Sequence, residues 1–557
     1  MKFIITLIFI PFALLTLINC HTSKPAFDKS QVKEAQKVIG LSFTDQKIDT
    51  LHPYLLRNLE GYQQMREYDL DYGVLPAIRF DPIPVDFTWP TKRSCVYVPE
   101  QTTKVPTTAD SIALLTIAEL SSLLKSQKLS ATTLTEIYLQ RIKKYDPTLH
   151  AVITLMEEDA LAKAAQADKE IAAGNYKGPL HGIPYGVKDL IAIEGYPTTW
   201  GTVPYKNQVL NETATIVRKL DEAGAICLAK LSSGALARGD VWWGGQTMNP
   251  WDTLQGASGS SAGSGSATAA GLVGFAIGTE TLGSITSPST RNGITGLRPS
   301  YGRVSRKGVM PLSWSMDKVG PMCRSAEDCV LVFQVIQGND PLDPTLYDIN
   351  FCYDKDESID DFKIGFLEQL FVKDTSERGD LVAFGLEDIR KILPMDLIVD
   401  SLPSDYPFKA FDVILRAEAA TVFDDMVRSQ AVDSMVQQSQ RSRANSLRQA
   451  RFIPAVEYIQ ANRYRDQLIQ ETNEVMQKYD VVITPTFGQN QLVITNLTGH
   501  PVITMPVGID EEGHPISISL LGNLFEEDKI LKVAKYIQDR TVYHTSYPPL
   551  VMDQSRN

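Results

Sequence analysis

The sequence predicts an α/β protein built on a covered β-sheet. Three observations carry this. Short apolar runs, "AVITLM" (Ala151–Met156), "GAICLAK" (Gly224–Lys230) and "DVVITPT" (Asp480–Thr486), have the length and composition of strands buried on both faces. Segments with helical periodicity alternate with them, as covered sheets require. Hydrophobic residues make up 43% of the chain and charged residues 22%, a globular balance.

The elements follow in chain order. Lys2 precedes Phe3–Ile18, an uncharged apolar run broken by Pro11. So short a run behind a lysine suits an export signal better than a membrane span. "LINC", Leu17–Cys20, resembles a bacterial lipoprotein cleavage box, although Asn19 departs from the usual small residue. Residues 1–20 are therefore read as a signal, with a lipidated Cys20 anchoring an exported chain at the cell envelope. Residues 21–108 read as a polar tether, a helical N-terminal extension over 31–75, and a connector. Within the connector "FDPIPVDFTWP" (Phe80–Pro90) is proline-broken and extended.

The main domain is expected over 109–545, with a short tail at 546–557. "LSATTLTEIYLQRIKKYDP" places Leu134, Ile137, Tyr138 and Ile142 on one helical face, with Asp146-Pro147 as its stop. "HPISISLLG" (His514–Gly522) alternates, as an antiparallel or edge strand would. Residues 340–475 are more helical and more charged, and read as an inserted cap or side layer. Inside them "RSQAVDSMVQQSQRSRANSLRQARF" reads as solvated helix surface. A long amphipathic helix is expected from Val456.

Composition excludes some functions. A net charge of −12 gives no electrostatic support to a nucleic-acid partner. No Cys/His cluster has metal-ligand spacing, so neither metal nor cofactor is expected. Beyond Cys20, an odd and scattered set of five cysteines remains: Cys95, Cys227, Cys323, Cys329 and Cys352. They read as small buried residues rather than a disulfide framework. Cys323 and Cys329 could pair in an oxidising compartment.

Two stretches invite chemistry. Gly259–Gly263 matches the G-x-S-x-G elbow, which would make Ser261 a nucleophile. The expected strand before it is missing, and His500, His514 and His544 lack a partner motif. Lys188, in "YGVKDLIA", is flanked by apolar and small residues. Desolvation would lower its pKa and make it a general base. The plain alternative is a strand-end lysine with its ammonium in solvent. The glycine- and serine-rich run after Gly259 is either a spacer or a backbone that packs very closely.

"GVKD", "GSSAGSGSATAAGLVGFAIGTETLGSITSP", "GITGLRPSYGRVSRKGVMPLSWSMDKVGPMCRSAEDC" and "NLTGHPVITMPVGIDEEGHPISISLLG" together resemble the amidase signature family. The resemblance covers roughly 110–545. It implies a large mixed sheet covered on both faces by α-helices, and a Ser-cisSer-Lys triad. The nucleophile position falls on Ser284, the bridging serine on Ser260 and the base on Lys188. The oxyanion hole falls on the N–H groups of Thr281, Leu282, Gly283 and Ser284. The implied reaction is hydrolysis of a small-molecule or peptide amide. Four positions depart from the family pattern: Ala262, Glu280, Leu282 and Thr286. Thr286 stands where an arginine is frequent, which removes a reason to expect acidic substrates. Two other readings stay open: the transamidase component of a tRNA-dependent amidotransferase, and a non-catalytic binding protein on the same fold. The N-terminal helices loosely resemble the small C subunit of such amidotransferases, or are an extension that packs on the core. Specificity is expected to reside in 195–255 and 340–475.

Overall fold

Eleven strands join into one sheet. In chain order they are β1 (Val152–Leu155), β2 (Pro184–Lys188), β3 (Ile226–Leu231), β4 (Phe275–Glu280), β5 (Thr295–Arg298), β6 (Lys318–Cys323), β7 (Ile364–Phe366), β8 (Leu397–Ile398), β9 (Val481–Pro485), β10 (Val502–Ile509) and β11 (Pro515–Gly522). Their spatial order is β1-β3-β2-β4-β6-β5-β10-β11-β9-β7-β8. The sheet is mixed. β2 runs parallel to β3 and β4, and β7 runs parallel to β8 and β9. The remaining pairs are antiparallel. This computed structural model describes residues 26–552 except 69, 91–94, 101–102, 368–369, 371–388, 394–396, 399–400 and 489. The expected signal and Cys20 lie outside the described residues.

Two of the three apolar runs are buried as expected, Ile226–Leu231 throughout and Val481–Pro485 up to its last residue, but Val152–Leu155 is only half-buried because β1 is an edge strand paired on one side. Every residue of β2, β3, β4, β5 and β6 is buried. The alternating run became β11, antiparallel and interior rather than at an edge, seated between β9 and β10. Helices flank the sheet, which fits the α/β class read from the sequence.

Three local expectations change. The helix over Ala131–Leu149 runs through Pro147 instead of stopping there. Proline forfeits one intrahelical bond. The last turn nevertheless buries Leu149, and the Asp146 carboxylate accepts the N–H groups of Ala151 (2.7 Å) and Val152 (3.1 Å) just beyond it. The 340–475 region is not only a helical layer, because β7 and β8 extend the sheet at its far edge. Its basic stretch is not wholly solvated either. Arg443 is buried, and its guanidinium donates to the carbonyls of Leu236 (3.0 Å) and Ala237 (3.1 Å). The long helix follows the expectation closely, at Ala455–Met476.

The chain divides into two compact units, Met1–Leu70 and Asp71–Asn557. The first contains helices Lys29–Val38 and Asp45–Met65, the former opened by a capping box between Asp28 and Gln31. The second contains the sheet and the connector. There the cysteine reading needs correction: Cys95 and Cys352 form a disulfide across a sequence separation of 257. The partners lie too far apart for spacing to reveal them. Cys227, Cys323 and Cys329 are free and buried, so Cys323 and Cys329 do not pair.

Candidate active site

β2 ends on Lys188, in the interior of the sheet. Its Nζ lies 2.8 Å from Ser260 Oγ, 2.9 Å from Thr279 Oγ1 and 3.4 Å from Thr279 O. The side chain is fully buried, and among the described residues no carboxylate pairs with it. Burial pulls the amine down to about 7, against the pull of the Asp317 and Glu280 charges. An amine there exchanges a proton near neutral pH.

Ser260 is held by contact between backbones. The Gly259–Ser260 peptide is cis. A Cβ on Gly259 would sit 1.9 Å from Gly239 O, so only glycine fits. Gly234 N–H donates to Ser260 O at 3.2 Å, and Ser261 N–H donates to Ser284 O at 3.2 Å. The second bond ties together the two segments that carry the predicted serines. Close packing, not a spacer, explains the glycine-rich run. Ser261 braces the strand instead of facing a base, since its Oγ donates to Thr279 O at 3.1 Å and accepts Thr279 N–H at 3.2 Å. A strand does precede it, Asp252–Gly256, but that strand pairs with Met248–Asn249 in a separate ribbon. None of the three later histidines hydrogen-bonds Ser261.

Ser284 occupies the turn between β4 and the helix Thr286–Asn292, and is 8% exposed. Gly283 has φ +84°, where a Cβ would also press on Ser287 Oγ at 3.0 Å. Among the described residues no acceptor is bonded to the N–H groups of Leu282, Gly283 or Ser284. Three free donors in one turn suit an incoming oxyanion. The Leu282 side chain packs against the apolar cluster that includes Leu190, Met310 and Leu312.

Glu280 organises this turn, a role the sequence did not reveal. Its Oε2 accepts the N–H groups of Ile285 (2.8 Å) and Thr286 (2.9 Å) and the Thr286 hydroxyl (2.9 Å). Its Oε1 accepts from Arg298 and Asn496, both at 2.8 Å. Burial would raise this carboxyl, but Arg298 and the other donors outweigh it and hold it at about 2. Thr286, in the place of the frequent arginine, therefore faces Glu280 and is buried. Asp317 was also missed: it accepts from the Thr281 hydroxyl at 2.6 Å and from the N–H groups of Leu312 and Ser313. Thr279, Thr281 and Asp317 share the wall of one pocket.

A family model described as Amidase matches residues 133–531. The chain belongs to the amidase family. Amidase-family relatives include the A subunit of the glutamyl-tRNA(Gln) amidotransferase of Prochlorococcus marinus, 31% identical over 485 residues, covering 78% of this chain and 99% of the relative. The corresponding protein of Nitrosomonas europaea is 32% identical over 479 residues, covering 78% and 98%. Among solved amidase structures, the native peptide amidase from Stenotrophomonas maltophilia is similar with a TM-score of 0.66 and 28% identity, covering 76% of this chain and 96% of that one. A vestigial complex linked to the origins of an s-triazine catabolic enzyme is similar with a TM-score of 0.71 and 27% identity, covering 76% and 98%. Among the described residues of this amidase-family chain, no group of His, Cys, Asp and Glu could hold a metal ion. No described helix is long and apolar enough to cross a membrane.

Proposed function

We propose that the chain hydrolyses the C–N bond of a linear carboxylic amide, and esters as well, through an acyl-enzyme on Ser284. The observation that carries this reading is the buried contact of 2.8 Å between Lys188 Nζ and Ser260 Oγ. Ser284 Oγ attacks the carbonyl carbon. Its proton passes to Ser260 Oγ, while the Ser260 proton passes to neutral Lys188. The oxyanion is received by the N–H groups of the turn Thr281–Ser284. Collapse breaks the C–N bond, and the same relay returns the proton to the leaving nitrogen. Water then attacks the acyl-enzyme and gives a proton to the relay, and collapse breaks the acyl C–Oγ bond as the relay returns that proton to Ser284 Oγ and the acid leaves. Fluorophosphonate labelling with peptide mapping tests this. Label on Ser284, lost in Ser284→Ala, is expected. Label on Ser261, or none, rejects the assignment.

A second reading is transamidation, favoured by the relatives described as A subunits of glutamyl-tRNA(Gln) amidotransferases. It calls for tRNA and partner subunits in the cytosol. The net charge of −12 and the export-like N-terminus weigh against it. Release of ammonia from glutamine that rises on adding the other amidotransferase components would favour it over hydrolysis.

The reading also places the chain outside the cytosol, lipidated on Cys20. The Cys95–Cys352 disulfide supports an oxidising compartment. Metabolic labelling with palmitate, abolished in Cys20→Ala, is the expected result.

A further inference from the structure

The family match begins at residue 133, yet a segment ahead of it lines the pocket shared by Thr279 and Thr281, which adjoin Lys188 and Ser284 without those two residues lining it. Residues 71–100 contain no described helix or strand and form a strap on the larger unit. Beyond residue 79 the strap is anchored on residues that do not themselves line the pocket. The Arg465 guanidinium lies 3.5 Å from the Phe80 ring centroid, Asp81 accepts from the Tyr347 hydroxyl at 2.7 Å, and Trp89 stacks on Phe525. Cys95 then bonds Cys352.

The start of the strap is different. In Asp71-Tyr72-Gly73-Val74, the Asp71 carboxylate accepts Gly73 N–H at 2.7 Å and its carbonyl accepts Val74 N–H at 3.0 Å. This tight turn presents Tyr72 to the pocket. The Tyr72 hydroxyl donates to Glu212, and its ring meets Trp200 edge-on at 5.5 Å. Glu212 is itself paired with Lys307 at 2.8 Å. Tyr72 and Leu75 thereby line the same pocket as Thr279 and Thr281.

The chemistry of that pocket follows from which polar groups are already engaged. Arg306 donates to Trp314 O and Thr345, Lys307 pairs with Glu212, Lys318 donates to Asn496, Asp343 accepts from Arg306 N–H and Thr345, and Asp317 accepts from Thr281, Leu312 and Ser313. The wall that remains is mainly apolar, formed by Leu75, Leu190, Met310, Leu312, Leu342 and Trp314, whose buried indole N–H is its one unpartnered side-chain donor among the described lining residues. Such a wall selects by hydrocarbon bulk.

We propose that Tyr72 and Leu75 are specificity-determining residues, closing an apolar subsite for a bulky alkyl or aromatic group of the substrate. The proposal rests on the amidase reading above. Its test compares an ethyl with an octyl fluorophosphonate, measuring the second-order rate of Ser284 modification. The wild-type chain is expected to prefer the octyl probe. Tyr72→Ala should slow the octyl probe about tenfold and leave the ethyl probe within about twofold, the discrimination typical of an apolar contact. Leu75→Ala should act in the same direction, while Tyr72→Phe, which keeps the ring, should retain the preference. Equal slowing of both probes, or no change in either, overturns the proposal and leaves the amidase reading intact. A wild-type chain labelled by neither probe overturns both.

Discussion

Lys188 touches Ser260 across 2.8 Å of fully buried ground, and among the described residues no carboxylate pairs with its amine. With its pKa near 7, the amine is protonated below neutrality and cannot accept from Ser260. The expected kcat/KM therefore falls about tenfold per pH unit below roughly pH 7 and flattens above it. Lys188→Ala should remove both most of the rate and the acidic limb. A limb that persists unchanged in that variant rules Lys188 out as the base.

Glu280 makes a prediction about acid. Its folded pKa, about 2, lies below the ordinary 4.5, so its contribution is complete above about 4.5 and is lost as pH falls through about 2. Glu280→Gln leaves Arg298 buried without its partner, which should cost about 3–5 kcal/mol at pH 7. The gap to wild type should narrow in denaturant titrations repeated at pH 3. A constant gap would contradict the ionised assignment.

Asp189, next to the proposed base, forms an ion pair with Lys230 at 2.9 Å, both side chains fully buried. Breaking the pair by Asp189→Asn strands the lysine and should destabilise by about 3–5 kcal/mol. Asp189→Asn combined with Lys230→Met should recover part of the loss, and a double-mutant cycle in urea measures it. Strict additivity would show that the pair is not coupled.

Cys95→Ser or Cys352→Ser should lower stability by about 2–4 kcal/mol, because the cross-link restricts a very long loop of the unfolded chain. Melting with and without a reductant checks this. Wild type should shift on reduction and the variants should not.

The strands were legible because burial on both faces leaves a mark on every residue, as in Ile226–Leu231. Lys188 was legible as a candidate base because its apolar neighbours announce desolvation. The family motifs pointed to the segments of Ser260 and Ser284, which the Ser261–Ser284 backbone bond brings together. What escaped depends on partners distant in the chain. Glu280 looked like a conservative departure, but its role comes from Arg298 and Asn496, 18 and 216 residues away. Arg443 looked like surface, because nothing in its neighbourhood shows that the carbonyls of Leu236 and Ala237 lie within its reach. Tyr72 was read as part of the helical extension over 31–75, whereas it lies in a turn beyond the last helix of that region.

The bond between Cys95 and Cys352 has one more consequence. Lys188, Ser260, Ser284 and Asp317 all lie between its two ends, so the chemistry is enclosed in a covalent ring from which β7 to β11 are excluded. A protease that nicks the ring once, for example beside Leu254, which is 92% exposed, opens it without releasing a fragment. The cut would stay invisible on a non-reducing gel and appear only after reduction, whereas a single cut beyond Cys352 would release the C-terminal piece on denaturation in either case.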